Sequence, residues 1–308
     1  MNISSNNKVQ DILSRVTKYI DSPLWWRYER RRLGLPQWLR KKFDILFRVY
    51  ELWRVSKSVT KVLGPRFSRS RNLLEIDLTY VCSLRCVGCN RSLDQAPTDS
   101  LVNLDTIKNL INESIERQYV WKGIRLLGGE PTLHPDFLSV LDLLRDYRER
   151  YQPKLRITVV SNGYSERTKA ILCKIPHDIF IENTSKTSSQ QIDFAPFNNA
   201  PQDYTEHANS DFRNGCWITE GLGIGLTPQG YYYCAIAGGI DRIYGFGLGR
   251  KSIPDILDPM HEQFIQLCAL CGHFCIHTPT ATPADGTSTS WQNAYASWEE
   301  RSRNKVNT

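Results

Sequence analysis

The chain is predicted to fold as an α/β protein on a parallel sheet. From residue 73 onward, short apolar runs alternate with longer stretches at helical spacing. Glycine-rich or polar motifs fall just past the end of successive runs, where parallel α/β folds build their sites. Size agrees, since 308 residues at 41% hydrophobic content can bury a full core.

The elements follow in order. Leu74–Leu78 (LEIDL) reads as a first strand, and residues 104–118 place Leu104, Ile107, Leu110, Ile111 and Ile115 on one helical face. Gly123–Leu127 is a second strand ending in Gly128-Gly129-Glu130-Pro131. Pro135 suits the first turn of a helix that turns Phe137, Val140, Leu141 and Leu144 inward. Leu155–Val160 is a third strand ending at Ser161-Asn162-Gly163, then come a short helix at 165–173 and a fourth strand at Asp178–Ile181. Such βα repeats imply right-handed crossovers. Residues 187–215 show neither periodicity and are expected as a substrate-facing lid. Residues 217–234 read as a hairpin turning at Thr227-Pro228-Gln229-Gly230, and 254–270 as a helix opened by Pro254. Residues 278–308, rich in Thr, Ser, Pro and Ala at their start, are expected as a disordered tail.

Residues 1–72 differ in composition. They hold 17 Lys and Arg against 5 Asp and Glu, whereas the remainder holds 22 against 27. Trp25, Trp26, Trp38 and Trp53, half the tryptophans, also lie there, so a boundary is drawn at 72. A helix is expected over 9–20, and a second from Pro36 to Gly64, with Leu39, Phe43, Leu46, Tyr50 and Trp53 as its apolar stripe among basic residues. Three readings stay open for it: packing on its own core, docking an acidic partner, or lying on a membrane surface. The pattern lacks the interleaving of a nucleic-acid motif, no apolar run is long enough to span a membrane, and the start does not read as a secretory signal. Nine cysteines without export point to a reducing, cytoplasmic setting and to metal binding rather than disulfides.

Three of those cysteines, Cys82, Cys86 and Cys89, sit as CxxxCxxC on the loop after the first strand. Four thiolates saturate a [4Fe–4S] cubane, so three leave one iron open to another ligand. Zinc is the alternative, but structural zinc takes four ligands, usually in CxxC pairs. Glycines at 128 and 129 let backbone approach a ligand closely.

Taken in register, the cysteine loop, Gly128–Pro131 and Ser161–Gly163 resemble the radical S-adenosylmethionine (SAM) superfamily over residues 73–185. The resemblance implies a partial (β/α)6-type barrel over 73–215, with a cluster on Cys82, Cys86 and Cys89 whose open iron chelates SAM. It implies that Gly128, Gly129, Glu130 and Pro131 receive the methionine ammonium and that Ser161 and Asn162 approach the ribose. By the same resemblance, an external reductant supplies one electron, SAM is cleaved to methionine and a 5′-deoxyadenosyl radical, and that radical abstracts a substrate hydrogen. Two features depart from the family pattern. Gly88 replaces a commonly aromatic residue before the third cysteine, and four βα units are clear where six are usual. Either the barrel is partial and closed by the hairpin, or 187–215 conceals a unit.

Cys173 lies in an apolar stretch and is expected to be buried and inert. Cys216-x17-Cys234 followed by Cys268-x2-Cys271 resembles the twitch form of the family's auxiliary-cluster extension, over residues 216–277. Gly230-Tyr-Tyr-Tyr-Cys234 resembles the related SPASM turn with one residue fewer. Four thiols complete a second [4Fe–4S] site; zinc is again the alternative. Cys275 is left as a spare, an alternative ligand or a hydrogen donor. The resemblance implies maturation of a ribosomally made precursor peptide, with a separately encoded recognition protein docking near residues 1–72. The alternatives are a dehydrogenase or epimerase acting on a small molecule such as an aminocyclitol or sugar, and a non-catalytic iron–sulfur or zinc protein.

Overall fold

The computed structural model describes residues 46, 49–86, 88–188, 197–274 and 287–306. The expected helix at 9–20, the Pro36 helix start and Cys275 lie outside the described residues. Four parallel strands follow the expected order: β1 (Leu73–Thr79), β2 (Gly123–Gly128), β3 (Arg156–Ser161) and β4 (Phe180–Asn183). The expected hairpin forms as β5 (Ile224–Thr227) and β6 (Gly230–Tyr232), with β5 parallel to β1. Across the sheet the order is β4-β3-β2-β1-β5-β6. The protein is therefore an α/β fold on a six-stranded, mainly parallel sheet that stays open. The hairpin joins the edge of β1 that faces away from β4, so it extends the sheet instead of closing it.

The principal helices are α1 (Lys57–Leu63), α2 (Leu104–Glu116), α3 (Phe137–Tyr151), α4 (Glu166–Leu172), α5 (Ala235–Tyr244), α6 (His261–Cys268) and α7 (Thr289–Val306). Side-chain alternation splits the sheet into two faces. Leu74, Ile76 and Leu78 of β1, Ile124 and Leu126 of β2, and Ile157 and Val159 of β3 share one core with Ile107 and Leu110 of α2 and Phe137, Val140, Leu141 and Leu144 of α3. Each such buried side chain contributes about 2 kcal/mol. Trp121 seals the base of this layer, donating from Nε1 to Ser114 Oγ at 2.9 Å.

The opposite face is polar. Glu75 aligns with Arg125, Arg125 with Thr158 and Val160 with Glu182. Helix α5 covers only the β1, β5 and β6 part of it. A Cβ on Gly225 would lie 2.2 Å from Ala235 Cα, and one on Gly238 would lie 2.5 Å from Thr227 Cγ2. Glycine inside a helix costs about 1 kcal/mol against alanine, and here it permits an approach no other residue allows. The AIAGGIDRIY run was not foreseen as a helix, because its glycines mask an almost wholly buried element.

Other expectations need correction. The helix expected to run to Gly64 is interrupted at Ser56, which caps α1 by accepting from the Val59 N–H and pairs with Ser210 as an isolated bridge. Residues 49–72 do not stand apart from the rest. Asn214 accepts from the Arg66 N–H at 2.6 Å and donates to Thr60 Oγ1, while Arg69 donates to the carbonyls of Asp255 and Asp258. The helix expected over 254–270 is confined to α6, because Arg69 and an Asp258–Met260 turn organise the preceding residues. Residues 197–215, expected as a lid, are anchored in 3₁₀ turns, with Phe197 and Ala200 buried and the Ala200 N–H bonded to Ser288 Oγ. Over 289–306 the expected disordered tail is helix α7. Trp291, Ala294, Tyr295 and Trp298 recur at helical spacing, and buried Trp291 donates to the Leu270 carbonyl at 2.7 Å. Cys173 is exposed at the end of α4, not buried.

Candidate active site and a second cysteine cavity

The first site grows from the carboxyl ends of β1, β2 and β3. A register shift between Asp77 and Thr79 ends β1 and releases the chain into the cysteine loop. Cys82, Cys86 and Cys89 are all half-buried there, and none of the described cysteines is in a disulfide. The loop is tied by its own backbone, from Cys89 N–H to the Cys86 carbonyl and from Leu84 N–H to Cys82 Sγ. Burial pushes the Cys82 thiol up to about 11 against the pull of the Leu84 N–H, and nearby Cys89, Glu130 and Cys86 add to the rise. Those neighbours place the three sulfurs in one electrostatic neighbourhood.

Gly128 and Gly129 are packed tightly against neighbouring backbone. A Cβ on Gly128 would sit 2.4 Å from the Thr79 carbonyl oxygen, and one on Gly129 would sit 2.3 Å from that of Val81. The Gly129 and Glu130 N–H groups donate to those same two carbonyls, at 2.7 and 2.9 Å. The glycines therefore clamp the end of β2 to the backbone immediately before Cys82.

Glu130 is wholly buried, and its carboxylate is engaged within the protein. Oε1 accepts from Ser161 Oγ at 2.9 Å and from Thr132 Oγ1 at 2.8 Å, and Oε2 accepts from the Asn162 N–H at 2.8 Å. It ties the end of β2 to the turn after β3, with Pro131 opening a 3₁₀ turn beside it. Asn162 completes the junction, its Nδ2 lying 3.8 Å from Cys82 Sγ and 3.4 Å from Ser83 Oγ. Gly163 (φ +63°) is required next, because a Cβ there would meet Asn183 Oδ1 at 2.2 Å. The structure thus joins all three predicted motifs.

Beneath this junction lies the polar face, which sequence reasoning missed. Arg91 grips buried Asp77 with two hydrogen bonds, 3.1 and 2.9 Å. Arg125 stands between Glu75 (3.6 Å) and Glu182 (3.1 Å). Burial raises the Glu75 carboxyl to about 7 despite Arg91 and Arg125, and Asp77 and Glu182 add to the rise. The signal was available: Glu75 and Asp77 interrupt an apolar strand at a spacing of two.

A second cavity gathers cysteines from separate elements. Cys216 follows a 3₁₀ turn, Cys234 precedes α5, Cys268 ends α6, and Cys271 lies just beyond. All four line one cavity with Tyr233, His273 and Phe274. Burial, the largest cause, drives the Cys234 and Cys268 thiols up; Cys271 adds to the first and Cys234 to the second. Cys268 Sγ donates to Tyr233 Oη at 3.1 Å, and the Tyr233 ring stacks on Phe264 at 4.1 Å. Gly215 lets the ring of Phe274 close over the cavity, since a Cβ there would meet that ring at 2.0 Å. His273 escaped sequence reasoning, although it stands two residues past Cys271; burial first, and then Arg91, pull its imidazole down to about 4. Among the described residues no group of three or more His, Cys, Asp or Glu is placed to hold a metal ion. Also among them, no helix is long and apolar enough to cross a membrane.

Comparison with known proteins agrees with this layout. Residues 76–178 match the Radical SAM superfamily and form a domain of that superfamily. The chain is 29% identical over 109 residues to GTP 3',8-cyclase of Campylobacter jejuni subsp. doylei, covering 33% of this chain and 31% of that protein. Probable GTP 3',8-cyclase of Sulfurisphaera tokodaii is 35% identical over 81 residues, covering 26% and 25%. Human molybdenum cofactor biosynthesis protein 1 is 33% identical over 104 residues, covering 33% and 15%. The chain thus spans at most about a third of the length of these relatives. Among solved structures, BtrN in complex with AdoMet and 2-DOIA aligns with a TM-score of 0.42 at 12% identity, covering 72% of this chain and 98% of that one. The superfamily implies SAM and a [4Fe–4S] cluster as cofactors.

Proposed function

We propose that the chain is a radical SAM enzyme that oxidises or rearranges a small polar molecule. The observation that carries this reading is the Asn162 junction, where one side chain reaches Cys82 and Ser83 while its backbone N–H is held by Glu130. The donor set fits a cluster with an open iron: three half-buried thiols on one loop at the open end of the sheet. When bound, cluster and SAM supply a one-electron cleavage that yields a hydrogen-abstracting radical. The protein's own part is positional. Gly128 and Gly129 fix the loop against β2, and backbone carbonyls of that segment are left to receive the methionine ammonium. Glu130 holds Asn162 in place rather than binding SAM itself.

Cys216, Cys234, Cys268 and Cys271 hold a second [4Fe–4S] cluster in this reading. Four thiols in one cavity match its ligand number. That cluster would supply a one-electron acceptor near the substrate, and an external reductant serves the first. The substrate class rests on the polar face of the sheet, where Glu75, Arg125 and Glu182 offer charges suited to a polar small molecule. The relatives named GTP 3',8-cyclase carry a nucleotide in their name, which points the same way. A precursor peptide with a recognition protein near residues 1–72 is the competing outcome.

The test is anaerobic reconstitution followed by incubation with SAM and a strong reductant. Formation of 5′-deoxyadenosine is expected, stimulated by the small-molecule fraction of the native host and not by its peptides. No 5′-deoxyadenosine from iron-loaded protein would remove the enzyme reading. Stimulation by peptides alone would replace the substrate class.

A further inference from the structure

His273 has an unusual position for a ring that no motif required. Its Nε2 is sealed from solvent and, among the described residues, has no hydrogen-bond partner. Leaving a polar nitrogen so is costly, and a ring with a purely structural role would be expected to find an acceptor. The ring is held rather than loose. The preceding Gly272 N–H donates to the Phe197 carbonyl at 2.9 Å, and the Phe197 ring lies 6.2 Å from the imidazole and 4.9 Å from Trp291. The ring lines the cavity shared by Cys216, Cys234, Cys268 and Cys271.

Resting on the second-cluster reading, we infer that His273 is a positioning residue whose Nε2–H donates a hydrogen bond to the sulfur of the auxiliary cluster and raises its reduction potential. Four thiols complete a cubane, so a fifth group can contribute only as a hydrogen-bond donor unless it displaces one of them. Hydrogen bonds to cluster sulfurs are among the factors that set the potential, and a donor stabilises the more negative, reduced form. The consequence is chemical: the second site becomes a better electron acceptor than its thiolates alone would make it.

The experiment uses the full chain with Cys82→Ala, Cys86→Ala and Cys89→Ala, so that only the second site can load. Iron is counted, and the potential is read by electron paramagnetic resonance during reductive titration. About four irons are expected. With His273→Phe the reduced-to-oxidised ratio at fixed potential should fall about tenfold, equivalent to about 59 mV for one electron. His273→Gln, which restores an N–H, should recover much of that loss. An unchanged potential in His273→Phe at full iron content overturns the inference alone. Absence of iron from the triple variant overturns the second-cluster reading and the inference with it. Should His273→Phe not load, nitrogen hyperfine coupling in the triple variant decides. A weak coupling supports the donor, whereas a strong coupling (direct ligation) or none overturns it.

Discussion

The two cysteine sites are built on opposite plans. The first places three thiols on one loop, all half-buried, at the rim of the open sheet. The second draws four thiols from three places in the chain, with Cys234 and Cys268 buried and an aromatic wall of Tyr233, Phe264 and Phe274 around them. Local spacing suffices for the first, whereas the second exists only once β6, α5 and α6 have packed. On the proposed reading, the difference teaches that a site that binds a further ligand keeps an exposed corner, while one that only exchanges electrons can be enclosed.

The sharpest way to break this contrast is to remove one thiol from each site. Cys86→Ala should abolish 5′-deoxyadenosine formation and lower bound iron from about eight to about four. Cys234→Ala should lose a similar amount of iron yet retain measurable SAM cleavage. Equal loss of cleavage in both variants would mean the sites are not separable.

A smaller effect should follow from the clamp beside the first site. Gly129→Ala forces a Cβ to 2.3 Å from the Val81 carbonyl oxygen, so the backbone before Cys82 must shift. Displacing reacting groups by about 1 Å costs about 100-fold, and a loss of that order in SAM cleavage is expected with iron content retained. Gly215→Ala, beside the second cavity, should instead lower iron at that site, because the added Cβ meets the Phe274 ring.

Glu130→Gln probes the junction by stability. The carboxylate accepts from Ser161, Thr132 and Asn162, and an amide can replace only part of that acceptor set. A loss of about 3 kcal/mol is expected, read as a lower midpoint in urea unfolding.

The polar face offers the mildest test and a pH signature. The Glu75 carboxyl is raised to about 7 by burial, so between its ordinary value near 4.5 and 7 the folded state binds the extra proton. Stability should therefore fall as pH rises through that window, by up to about 3 kcal/mol above pH 7. Glu75→Gln should flatten the dependence and unfold at a higher urea midpoint than wild type at pH 8. A wild-type midpoint independent of pH across the window would contradict the burial assignment.

Much of this was legible before the fold was known. Alternating strands and helices gave the four parallel units, and the spacing of Cys82, Cys86 and Cys89 with the two glycine-bearing turns marked the first site. The reasons for the glycines were not legible, because Gly128 and Gly129 answer to carbonyls of a neighbouring strand end. Helix α5 was hidden by Gly238 and Gly239, whose role appears only against Thr227 and Arg91. Helix α7 was hidden by the Ser- and Thr-rich composition around it, although Trp291, Tyr295 and Trp298 already carried its face. His273 was not legible, because it matters through what the fold leaves unpaired around its Nε2; Glu75 was announced by its spacing of two from Asp77 in an apolar strand, but not its pairing with Arg125.

The most direct test of the two-plan account is the electron paramagnetic resonance spectrum of the reduced protein before and after adding SAM, taken with one site removed at a time. With Cys234→Ala and Cys268→Ala, the remaining signal should change on SAM addition, because the three-thiol site has an open corner. With Cys82→Ala, Cys86→Ala and Cys89→Ala, the remaining signal should be unaffected. A SAM-sensitive signal from the four-thiol site, or an insensitive one from the three-thiol loop, would contradict the assignment.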